Sequence, residues 1–196
     1  MSDCIDGIIK EIISNCTTSV GGSLEVKAWI FNRKDLSVTF DPENKRGQTS
    51  NKVIDLALPI GKSGFQIQGI KKLLNAGHDR VVAEDRPDKF THYFALQQFE
   101  TTSQDIFNVD NLSDLVVFVE SKDKKDDGDG VLIGYGVRNG LYVTTDSQRA
   151  NDINGARNLE LASAAGEEEA HSRYILLKDT YADSIALLDS LLVIQN

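Results

Sequence analysis

Several short stretches carry residue types that do chemistry in other settings, and each can be held against the spacing its chemistry demands. Gly61-Lys62-Ser63 ends like a phosphate loop, in which glycine-rich backbone cradles phosphate oxygens and the lysine reaches the terminal groups. The glycine that opens such a loop would fall at Leu56, and Gly64-Phe65-Gln66-Ile67 reads as extended chain where a helix is required. Gly134, Gly136 and Gly140 are spaced one residue too widely for the dinucleotide fingerprint, and no strand-helix-strand pattern surrounds them. The acidic run 123–130 suggests calcium, a hard cation that takes oxygen ligands at alternating positions. Laid on the EF-hand pattern, Asp123 is followed at the next ligand position by Lys125, and Asp127 and Asp129 are followed by Val131. A solvated turn is the better reading. His78, His92 and His171 are scattered, with no His or Cys pair at metal-ligand spacing. No nucleophile elbow selects one serine for a Ser-His-Asp triad. No catalytic, cofactor-binding or metal-ligating residue is therefore expected, no cofactor is expected, and the chain reads as something other than an enzyme. Trp29, Phe31, Tyr93, Phe94 and Phe99 fall at strand positions, where aromatics fill a core more often than they form a sugar-binding platform.

The elements that would hold these residues follow from composition and periodicity. The chain has 196 residues, 40% hydrophobic and 26% charged, which fits one ordinary globular core. Twenty-one Lys and Arg against thirty Asp and Glu give a net charge of −9, a balance that repels phosphate backbones and argues against tight nucleic-acid binding. The opening Met1-Ser2-Asp3-Cys4 has no basic and apolar export pattern, and the apolar stretch 185–194, broken by Asp189 and Ser190, is too short for a membrane span. Cys4 and Cys16 are then expected as free thiols in a reducing cytoplasm.

Ile5, Ile8, Ile9, Ile12 and Ile13 form one apolar stripe at helical spacing, so a helical arm is expected within 1–20, and it should dock on something. Gly21-Gly22 breaks it. Leu24, Val26, Ala28 and Ile30 then alternate with Glu25, Lys27 and Trp29 as in a half-covered strand, and Leu36–Phe40 repeats the pattern. Residues 41–52 hold no apolar side chain except Pro42, which predicts a projecting loop or hairpin tip. Further strands are expected near 53–58, 65–70, 93–99, 115–120, 131–137, 141–145, 158–162 and 174–177. A second projecting loop is expected at 121–130, where Asp126-Asp127-Gly128-Asp129-Gly130 suits a hairpin turn, and Asn139-Gly140 marks another turn. Thr180 and Asp183 form a possible capping box for a C-terminal helix over 180–194, with Ala182, Ile185, Leu188, Leu191 and Leu192 on its apolar face. The expected fold is a single domain over 1–196, mainly β (α+β), a β-sandwich or barrel with short N- and C-terminal helices.

The order of elements in the second half resembles the tail tube subunits of long-tailed bacteriophages. The likeness rests on a strand pair, Val131-Leu132-Ile133-Gly134-Tyr135-Gly136 and Asn139-Gly140-Leu141-Tyr142-Val143-Thr144, then Gly155-Ala156-Arg157-Asn158-Leu159-Glu160-Leu161, an acidic turn Gly166-Glu167-Glu168-Glu169, and Arg173-Tyr174-Ile175-Leu176-Leu177. The opening, with Cys16 before Gly21-Gly22-Ser23-Leu24-Glu25-Val26 and then Ile30-Phe31-Asn32-Arg33-Lys34-Asp35, is similar to virion proteins of Bacteroidetes phages and prophages. Leu73 to Ser103 has no place on that pattern. The resemblance implies a tail-tube-like fold and a self-assembling structural subunit of the virion tail, made in the host cytoplasm. Its partners would be itself, in stacked hexameric rings, and other tail proteins, with DNA only in passage and no membrane span. It also implies that the 41–52 loop reaches the neighbouring ring through the mixed charges Asp41, Glu43, Lys45, Arg46 and Lys52. The alternative is a β-sandwich carbohydrate- or protein-binding module.

Overall fold

The computed structural model describes residues 24–42, 50–68, 74–84, 87–98, 113–121, 130–149 and 157–193. The expected N-terminal helix, both cysteines, Phe99 and the middles of the two long loops lie outside the described residues. The described chain is mainly β, with eleven strands in two sheets and one short helix near its C-terminal end.

The larger sheet has seven strands in the order β2 (Ser37–Phe40), β3 (Lys52–Ala57), β11 (Tyr174–Leu176), β8 (Val131–Tyr135), β7 (Leu115–Ser121), β1 (Leu24–Asn32) and β4 (Phe65–Gln68). Only β11 and β3 run parallel among these pairs. The smaller sheet is antiparallel throughout, in the order β5 (Asn75–Val81), β6 (Lys89–Gln98), β10 (Arg157–Ala162) and β9 (Tyr142–Gln148). The strands flanking each expected loop pair with each other, β2 with β3 and β7 with β8.

Two apolar clusters divide the interior. One joins the sheets, with Ala28, Ile30, Val117, Val119 and Ile133 of the larger meeting Phe94, Leu96, Leu159 and Leu161 of the smaller. The other lies on the opposite face of the larger sheet, where Trp29, Phe31, Val116, Phe118, Tyr174 and Leu176 pack against Leu188 and Leu191. The strands β1 and β7 are thus covered on both sides, and β1 is not the half-covered strand that its alternation predicts. Trp29 and Phe31 project from the face opposite Ala28 and Ile30 and are buried with them.

The helix α1 (Tyr181–Ser190) starts as expected. The Thr180 hydroxyl accepts from the Asp183 N–H, and the Asp183 carboxylate accepts from the Thr180 N–H, so two end donors are satisfied reciprocally. The Trp29 Nε1–H donates to Asp189 Oδ1 at 2.8 Å, and the Gly64 N–H donates to the Leu191 carbonyl at 2.8 Å, pinning the far end. A Cβ at Gly64 would lie 2.3 Å from the Phe31 ring, which is why that position beside the core takes no side chain.

Two expectations need correction. The segments 131–136 and 139–144 are not a strand pair: β8 bonds to β7 and β11, whereas β9 bonds to β10 in the other sheet. The turn between them carries the chain across, with Gly136 at φ +68° and Gly140 at φ +83°. The stretch Leu73 to Ser103, in which the sequence predicts a strand only at 93–99, also contains β5, which pairs with β6 from Asn75↔Ala95 to Val81↔Lys89. Gly77 lies under Tyr93, where a Cβ would stand 2.3 Å from the phenolic oxygen. The ring supplies the cover that the glycine lacks.

Candidate functional site

Of the five residues expected at subunit contacts, Asp41 and Lys52 are described. They pair with each other, Lys52 Nζ to Asp41 Oδ2 at 2.8 Å, and the Asp41 N–H donates to the Lys52 carbonyl at 3.0 Å. This clasp closes the base of the loop within one subunit. Glu43, Lys45 and Arg46 lie outside the described residues. Lys62 of the supposed phosphate loop stands in a surface turn, 3.3 Å from Asp35.

The densest polar arrangement surrounds the crossover turn, and the sequence did not mark it. Glu169 has no exposed surface although it ends a run of three glutamates. Its Oε1 accepts from the N–H groups of Arg138 and Asn139, both at 2.9 Å, and its Oε2 accepts from the Tyr174 hydroxyl at 2.9 Å. Its backbone exchanges two hydrogen bonds with Phe90, which ties the turn to the smaller sheet. His92 is equally buried. The Gly136 N–H donates to His92 Nδ1 at 3.1 Å, so the proton sits on Nε2, which donates to the His171 carbonyl at 2.8 Å. Arg33 grips Asp114 with two hydrogen bonds, Nε to Oδ1 at 2.6 Å and Nη2 to Oδ2 at 3.0 Å, directly against Gly140. The Arg138 guanidinium lies 4.0 Å above the Phe40 ring.

This cluster holds a turn and does not present a reactive group. Both ring nitrogens of His92 are engaged by backbone, and both oxygens of Glu169 are occupied, away from solvent. Burial lowers the His92 pKa, opposed in part by the Glu169 charge and the hydrogen bond to His171. Burial also raises the Tyr174 pKa, with the Glu169 charge adding to it.

A pH dependence follows. The unfolded chain takes up a proton at His92 near pH 6.5 and the folded chain does not, so stability is present above that pH and is lost as pH falls from 6.5 toward the lowered folded value. His78 shifts the same way, through burial first and Arg173 second. Unfolding free energies from urea titrations at pH 7 and pH 5 should differ by up to about 1.4 kcal/mol per pH unit within that window through the buried His92, with the solvent-screened His78 adding less. His92→Gln should flatten most of that dependence.

The second feature is the outer face of the smaller sheet. Strand alternation buries His92, Phe94, Leu96, Leu159 and Leu161, and turns Thr91, Tyr93, Ala95, Gln97, Asn158 and Glu160 outward. Glu160 accepts from the Thr145 hydroxyl at 3.0 Å and from Asn158 Nδ2 at 3.3 Å. Lys89, at the end of this face, is 3.8 Å from Glu168. Arg157 is turned toward the interior, where it grips Asp146 with two hydrogen bonds and pulls the carboxyl below its usual range. Both outer strands of this sheet, β5 and β9, have seven residues and an edge unpaired by any described strand. Trp29, Phe31 and Phe94 are core residues and present no platform for a sugar.

Among the described residues, no helix is long and apolar enough to cross a membrane. Comparison with protein-family models, with curated proteins and with solved structures finds no match.

Proposed function

We propose that the protein is a non-enzymatic, self-assembling subunit of a phage tail tube, built as stacked rings around a channel through which DNA passes. The reading begins from the resemblance in the order of elements. The observation that carries it furthest is the smaller sheet, with two seven-residue edges and an outer face of hydroxyl, amide and carboxylate groups. Unpaired edges of that length invite pairing with another chain, and ring closure removes them. With six copies at −9 each and Lys89 sharing that face with Asp79 and Glu160, a lumen lined by this sheet gives phosphates little to bind. The contacts between rings fall to the 43–49 part of the first loop, since Asp41 and Lys52 satisfy one another below it.

Light scattering and negative-stain microscopy of the purified protein should find rings or tubes. Val143→Lys, which charges the β9 edge, should leave the subunit folded and reduce assembly at least tenfold at equal concentration. A stable monomer at all concentrations would overturn the proposal and leave the carbohydrate- or protein-binding reading.

A further inference from the structure

The turn that carries the chain from β8 to β9 ends in Asn139-Gly140. At such a pair the backbone can attack its own side chain, because glycine has no Cβ to shield its nitrogen. Once a solvent base has taken its proton, the Gly140 nitrogen adds to the Asn139 side-chain carbonyl carbon. The bond from that carbon to the amide nitrogen breaks, ammonia leaves with a proton from water, and a five-membered imide closes. Water then opens the imide at one carbonyl or the other, giving aspartate or the isomer whose main chain runs through the side-chain carbonyl.

The folded turn opposes each part of that chemistry. The Gly140 N–H that must be stripped donates to the Gly136 carbonyl at 3.0 Å, and Gly140 itself is buried. The amide that must leave is held as well, with Asn139 Nδ2 donating to the Glu168 carbonyl at 2.8 Å. A backbone carbonyl only accepts, so the nitrogen, not the oxygen, faces it. The Asn139 N–H is fixed on Glu169 Oε1 at 2.9 Å, and the side of Gly140 where a Cβ would project is filled by Asp114 and Arg33.

We propose that Asn139 is a spontaneous modification site gated by this turn: the closed turn keeps the amide, an open turn loses it, and the product does not close again. Aspartate at 139 sets a carboxylate oxygen against the Glu168 carbonyl where a donor stood, and adds a second carboxylate beside Glu169. The isomer inserts a main-chain carbon between the 139 N–H that Glu169 holds and the 140 N–H that Gly136 holds. A molecule that opens this turn for long is thereby marked and kept open.

Peptide mass spectrometry of the full chain, held in mildly alkaline buffer with and without denaturing urea, tests this. Asn154-Gly155 is the internal reference, and in urea both asparagines should convert at similar rates. Without urea Asn139 should convert at least about tenfold more slowly than in urea, in proportion to the time the turn spends open. Equal rates with and without urea would overturn the gate, and an Asn139 that lags Asn154 several-fold in urea would overturn the site itself. After urea is removed, chains altered at 139 should be depleted several-fold from the compact fraction on gel filtration. Equal recovery, or an unchanged urea midpoint for Asn139→Asp, would overturn the one-way step.

Discussion

Glu169→Ala should lower the unfolding free energy by about 3–5 kcal/mol, because the fully buried Tyr174 hydroxyl and the partly buried Arg138 and Asn139 N–H groups would lose their shared acceptor. A buried donor left without an acceptor costs more than the hydrogen bond it made. Urea unfolding would show the loss as a lower midpoint at unchanged slope. Glu169→Gln keeps a carbonyl oxygen and should recover roughly half of it. A loss under about 1 kcal/mol for the alanine variant would mean that the crossover turn is held by its glycines and its neighbours, not by this carboxylate.

Trp29→Ala should cost a similar amount, about 3–5 kcal/mol, through a different mechanism. The indole is 2% exposed between the larger sheet and the helix, and its Nε1–H reaches Asp189 across that contact. Removing it opens a cavity and cuts a polar tie at once. Trp29→Phe fills most of the volume and should lose about 1–2 kcal/mol. Amide exchange separates this from a general loosening: protection of the helix amides near Ser184 and Leu188 should fall first, while Val117 and Val119, packed between the sheets, stay protected to the global limit. Equal loss at both places would show that the helix and the sheets open as one unit.

The parts of this fold that were legible in the sequence are those in which local pattern and tertiary burial agree. Thr180 and Asp183 announce α1 because the cap is a local arrangement, and Leu115 to Val119 announces a strand because five apolar residues in a row need cover on both faces. β5 was not legible, since Asn75 to Val81 has neither alternation nor strand composition. It is made a strand by ten-residue β6 beside it and by Tyr93 lying over Gly77. The Asn139-Gly140 signal was right about the turn and silent about destination: turn chemistry fixes a local φ, and only packing decides whether the next strand returns to the same sheet. Glu169 reads in the sequence as part of an acidic turn, and two of its three donors come from a turn some thirty positions away. The Asp41–Lys52 clasp was available to reasoning. Once β2 and β3 are a hairpin with Phe40 opposite Val53, the residues just beyond each strand must face one another.

The three residues of β11 sit in the interior of the seven-stranded sheet, between β3 and β8. Every other strand of that sheet is synthesised earlier. A nascent chain that has not reached residues 174–176 can therefore pair β2 with β3, and β4, β1, β7 and β8 among themselves, and is left with two half-sheets facing a missing strand. Each gap edge offers bare N–H and C=O groups to any neighbouring chain. Joining residues 53 and 176 closes a long loop, a slow step in folding. The order of translation thus gives the protein an interval of exposed edges that ends with its last strand, and an analogue of Tyr174-Ile175-Leu176 supplied during refolding would occupy the same gap.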